Sequence, residues 1–156
     1  MARGKCGAAR QRATQALEWA LDENLQLNIA WAELCIGQAD IRLGTAQNQD
    51  IAARLDRAIL RLRGSGYQDE LSRGLIIRAD FHTTVGDRAA AESDLDEAWQ
   101  IAQRGPMRLH MTDIHLARVR LSGNVGELKA ARTVMEQCGY WSRKDELEKA
   151  ETAAKL

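Results

Sequence analysis

The chain has 156 residues, enough for one domain that buries roughly two-thirds of its unfolded surface. Its 22 basic and 22 acidic side chains cancel, which excludes a strongly basic nucleic-acid footprint. Apolar residues at 45% and charged residues at 28% exclude an intrinsically disordered chain.

No apolar run reaches the ~18 residues a membrane-spanning helix needs. The opening MARGKCGAAR lacks the apolar core of a signal peptide, so residues 1–7 are expected to be a flexible tail. Three cysteines, Cys6, Cys35 and Cys138, form an odd set without zinc-site spacing; reduced thiols in a cytoplasmic protein are expected. One proline, few β-branched residues and abundant Ala, Leu, Arg, Glu and Gln favour helix, and no segment alternates with period two, so no sheet is expected.

Glycine-containing turns divide the chain into helical blocks. The first is expected over Ala8–Asn24, with Leu17, Trp19 and Leu21 among its large apolar residues. The second, Leu27–Leu43, is apolar on most faces and ends at Gly44, which suits a left-handed helix terminus. The third, Gln49–Arg63, places Ile51, Leu55, Ile59 and Leu62 on one face, opposite an arginine-rich side. The fourth runs from about Asp69, a candidate N-cap with Ser72 as a second, to Val85. The fifth is Asp87–Arg104. Gly105-Pro106 then reads as a stop and a start, with Pro106 opening a sixth block to Leu121. The seventh is Glu127–Cys138, and a charged eighth, Ser142–Lys155, closes the sequence.

A repeat underlies this order. Ala91, Leu95 and Ala98 stand at i, i+4 and i+7, and the spacing recurs 40 residues earlier at Ile51, Leu55 and Ala58 and 40 later at Ala131, Met135 and Cys138. A fourth copy, Ala13, Leu17 and Ala20, lies 38 before the second. A fixed period of this size is the mark of a helical repeat array. The patterned blocks alternate with blocks apolar nearly all round, as expected when outer helices bury one face and inner helices are sandwiched. The first patterned block has no inner helix before it, so the array begins on a half repeat. Excision from a longer protein is the expected reason, with a cap as the alternative.

The layout resembles the tetratricopeptide repeat family over roughly residues 10–140. The residues that carry the resemblance are Ala91, Leu95 and Ala98, with Gly86 in the turn and Ala79 in the preceding helix, and one unit earlier Ala39, Leu55 and Ala58. The family's period is about 34 residues, its aromatic and glycine positions in the first helix are not met, and the proline that follows its second helix appears once, at Pro106. HEAT-like or generic helical-hairpin arrays are the alternative. Gly139, Tyr140, Arg143, Glu146 and Leu147 also resemble the close of repeat regions in large bacterial signalling ATPases.

The resemblance implies an all-α, right-handed solenoid of antiparallel helix pairs, about three hairpins plus a terminal helix, over residues 8–156. It implies a protein-interaction scaffold that binds a protein or peptide in a groove lined by the first helices. In that register the groove residues are Glu33, Ile36, Asp40, Arg73, Ile76, Asp80, Asp113, Leu116 and Arg120. The lysine–asparagine set with which some members hold a C-terminal carboxylate is not matched here. The alternative is a self-associating segment that stacks through exposed array ends into a homo-oligomer.

Other constellations are weaker. Arg54 and Arg57 stand 40 residues from Asp94 and Glu97, so cross-repeat ion pairs between stacked outer helices are expected. His110 and Asp113 share a helix face, but two ligands make no metal site and His115 is off that face. No cofactor, metal, nucleic-acid or membrane partner, and no catalytic constellation, is expected. Trp19, Trp31, Trp99, Cys35 and Cys138 are expected in the core, and Tyr140 and Trp141 are the candidate exposed aromatics.

Overall fold

A computed structural model describes residues 2–44 and 47–154. Eight helices follow in order: α1 (Ala2–Asp22), α2 (Gln26–Leu43), α3 (Asn48–Ser65), α4 (Gln68–Val85), α5 (Arg88–Arg104), α6 (Arg108–Ser122), α7 (Val125–Cys138) and α8 (Lys144–Ala154), with a 3-10 turn at Trp141–Arg143 before the last. Among the described residues there is no strand. Each helix packs against the next, and α4 also meets α2 and α6, so the inner helices α2, α4 and α6 lie side by side.

Local chemistry sets the boundaries. Gly86 adopts φ +81°, where a side chain would be strained, and its N–H closes α4 onto the carbonyls of His82 and Thr83. Asp87 then caps α5, its carboxylate accepting the Ala90 N–H at 3.1 Å. Two expected signals act otherwise. Pro106 lies in the loop before α6, and α4 begins at Gln68 without a side-chain cap. Asp69 instead meets His110 of α6 at 2.6 Å, and the buried Ser72 hydroxyl donates to the Ala98 carbonyl. Residues 2–7 are helical and continue α1; Met1 and Lys155 lie outside the described residues.

The repeat is a packing repeat. Ile51, Leu55 and Ala58 on α3 and Ala91, Leu95 and Ala98 on α5 are all buried, and all but Ala91 belong to the main core that runs from α2 to α6. A smaller core of Leu116, Leu128, Ala131, Met135 and Leu147 joins α6, α7 and α8. Two glycines inside helices permit close approach. A Cβ on Gly37 would stand 2.7 Å from Leu55, and one on Gly74 would stand 2.8 Å from Ile59.

The N-terminal helix departs from the pattern. Ala13 and Ala20 are buried, but Trp19 is 54% and Leu21 53% exposed, so Trp19 is not a core residue. Leu21 has the repeat position of Ile59, which is 1% exposed between α2 and α4; among the described residues no second inner helix lies against α1. Trp31 and Trp99 pack against the core half-buried, Cys35 is exposed rather than core, and Cys138 is half-buried.

Candidate functional site: the groove of the inner helices

The inner helices run parallel. His110 on α6 meets Asp69 on α4 near one end, and Arg120 meets Asp80 near the other, pairs 41 and 40 residues apart. Their exposed faces, with the segment from Arg143 to Glu146, enclose a groove of about 620 Å³.

Of the residues expected to line it, Arg73, Ile76, Asp80, Asp113, Leu116 and Arg120 do so. Glu33, Ile36 and Asp40 do not: all three are buried, at 4%, 2% and 2% exposure. Asp40 is held by Arg10 of α1 at 2.5 Å, and Glu33 accepts from Arg57 of α3 at 3.0 Å. The helix α1 lies along α2 and holds Asp40, while α3 holds Glu33 from its own side, so the register that works on α4 and α6 fails on α2. The α2 wall is instead Gln38, Ile41 and Arg42. Thr83, Thr84, Arg143 and Glu146 also line the groove. Arg10, opposite Asp40, was the available sign of the changed α2 face, and it becomes legible only once α1 is seen packed along α2 with Arg10 against Asp40.

Four arginines and three carboxylates face this space. On the α6 side the charges are matched. Arg120 donates to Asp80 at 2.7 Å and also to Glu146. Arg143 donates to Asp113 at 2.8 Å, and the Tyr140 hydroxyl reaches the same carboxylate at 3.5 Å. Burial lowers the Arg143 pKa, but the hydrogen bond and charge of Asp113 outweigh it, so the guanidinium is held more firmly protonated than usual. Tyr140 is thus partly buried, while Trp141 is 53% exposed.

The α2 side is unmatched. Arg73 has no carboxylate partner among the described residues; its guanidinium sits over the Trp31 ring, 4.7 Å from the centroid. Arg42 has neither carboxylate nor ring beside it among the described residues. Cys35 touches solvent, yet enough protein surrounds it that burial pushes its thiol pKa up, with the charge of Arg73 opposing.

The expected outer-helix pairs are replaced by others. Asp94 binds Arg78 of α4, Arg57 binds Glu33 of α2, and Glu97 binds Arg63 of α3 at 2.6 Å. Asp94 thus turns to the inner helix α4 and Arg57 turns back to α2, whereas Glu97 does reach the neighbouring outer helix α3, at Arg63 instead of Arg57. His110 and Asp113 part company, one toward Asp69 and the other toward Arg143. Among the described residues no group of three or more His, Cys, Asp or Glu side chains is placed to hold a metal. No described helix is long and apolar enough to cross a membrane.

No protein-family model, curated protein or solved structure matches the chain.

Proposed function

We propose that this chain is a tetratricopeptide-like interaction module: a right-handed helical solenoid whose inner helices bind a peptide or protein segment, without catalysis. The observation that supports it is the groove of about 620 Å³ between parallel inner helices, whose walls mix Ile76, Ile77 and Leu116 with charged side chains. Such a wall offers apolar contact for affinity and fixed charges for register. In this reading the module is a cytoplasmic scaffold segment of a bacterial signalling protein, and the outer helices α3 and α5 serve to hold the inner ones in place.

The test is to select peptides from a random displayed library on the purified chain and map them by backbone amide shifts. Perturbations centred on the groove faces of α2, α4 and α6 are expected. Perturbations confined to α3, α5 and α7 would sink the reading.

A second reading, self-association, draws support from Trp19 and Leu21, both more than half exposed on α1. Light scattering across a hundredfold concentration range separates the two: a constant monomer mass removes self-association.

A further inference from the structure

We propose that the α2–α4 side of the groove takes an extended acidic peptide segment, with Arg42 and Arg73 each receiving one of its carboxylates. This rests on the groove being the binding site and adds the chemistry of its occupant. Asp80, Asp113 and Glu146, the three carboxylates that line the groove, are all engaged by Arg120 or Arg143. Among the described residues, Arg42 and Arg73 are the two groove arginines left without one, and both are exposed. The Arg73 guanidinium is steadied over Trp31, which lowers the cost of fixing it for a ligand.

The two stand well apart. Trp31 and Arg73 meet at one level of the parallel helices α2 and α4. Arg42 lies eleven residues beyond Trp31, so the two guanidinium stems are separated by roughly 15 Å at the helical rise. An extended chain covers that span in about four or five residues. Between them the walls are Gln38, Ile41, Ile76 and Ile77, a mostly aliphatic floor. The geometry therefore calls for two acidic residues about four or five positions apart with apolar residues between, not for a single terminal carboxylate. A nucleic acid is disfavoured, because two free cations on a chain of zero net charge neutralise too few phosphates.

The experiment uses the full chain and peptides selected from a random twelve-residue displayed library, titrated by fluorescence anisotropy. Recovered peptides should carry paired Asp or Glu at that spacing. Arg42→Gln and Arg73→Gln should each weaken binding about tenfold, as expected for loss of a charge-assisted hydrogen bond. Replacing the peptide's acids by Gln should do the same, and raised salt should weaken the wild type more than either variant. Thr84→Trp, which fills the exposed groove wall, should block every such peptide. Neutral peptides blocked by Thr84→Trp but indifferent to both arginine variants would overturn the acidic proposal and leave the groove reading standing. Peptides indifferent to Thr84→Trp would overturn both. An oligouridine that binds through Arg42 and Arg73 when no acidic peptide is recovered would also overturn it.

Discussion

Arg78 grips Asp94 with two parallel hydrogen bonds, Nε to Oδ2 at 2.9 Å and Nη2 to Oδ1 at 2.7 Å, and its remaining Nη1 reaches Asp56 on α3 at 2.8 Å. One guanidinium thus ties three successive helices. Asp94 is 5% exposed, and the hydrogen bond to it is the chief reason the Arg78 pKa is raised. Forty positions on, Arg118 donates to Asp96 at 2.8 Å, lies 3.9 Å from Glu127 and sits over Trp99 at 5.4 Å. The tie is repeated, but the Asp96 carboxylate faces water at 69% exposure.

Burial decides what each tie is worth. Arg78→Met leaves the buried Asp94 with only His82, 3.8 Å away, beside it, and the cost is expected at about 3–5 kcal/mol by urea unfolding. Arg78→Met with Asp94→Leu should recover most of that loss. Arg118→Met should cost about 1 kcal/mol, the sum of an exposed pair and a cation–ring contact. Equal costs at the two positions would show that burial of Asp94 is not what matters.

Leu95 and Leu60 test the packing repeat. Leu95 is 1% exposed in the core and Leu60 is 71% exposed on the far side of α3. Leu95→Ala should lower stability by about 2–5 kcal/mol, and Leu60→Ala by less than about 0.5 kcal/mol. Thermal unfolding followed at 222 nm measures both. A small loss at Leu95 would mean that the spacing Ala91, Leu95, Ala98 is not the core seam.

Much of this was readable in the sequence, because it depends on spacing alone. Outer helices show one apolar stripe, inner helices show several, and left-handed glycines such as Gly86 mark the ends. Partner choice by charge was not readable. Arg54, Arg57, Asp94 and Glu97 match by offset, yet Arg57 pairs with Glu33, Asp94 with Arg78 and Glu97 with Arg63, and offset says nothing about which of several nearby charges each one meets. Gly37 and Gly74 were silent for a similar reason: a glycine inside a helix shows its use only when Leu55 or Ile59 is seen against it. The groove was half legible. Positions on α4 and α6 follow the repeat, whereas those on α2 depend on how α1 lies.

Cys35 reports on Arg73. Its thiol pKa is raised by burial and pulled back by the arginine's charge. The proton is therefore held to higher pH than in the unfolded chain. The stability this contributes is present below the ordinary thiol range and is lost as pH rises through the raised value. Iodoacetamide labelling of Cys35 should keep accelerating past pH 9.0, the unperturbed value, rather than levelling there. Arg73→Gln removes the opposing charge, so labelling should slow at every pH below the plateau. Faster labelling in that variant would contradict the assigned coupling.

Asp40 and Asp80 occupy one register position with two different surroundings. Asp40 is 2% exposed and bonded to Arg10 of α1, whereas the Asp80 side chain is 32% exposed in the groove beside Arg120. Asp80→Asn breaks an exposed pair and should cost about 0–1 kcal/mol. Asp40→Asn leaves α1 without its charged anchor to α2; the amide oxygen can still accept from Arg10, but the buried NH2 gains no acceptor, so about 1–3 kcal/mol is expected. Asp40→Lys places a like charge against Arg10 and should free α1 altogether, read as early amide exchange in α1 while α4 and α5 stay protected. Equal losses for Asp40→Asn and Asp80→Asn, or an α1 that exchanges no faster in Asp40→Lys, would mean that the Arg10–Asp40 pair is not what anchors α1 to α2.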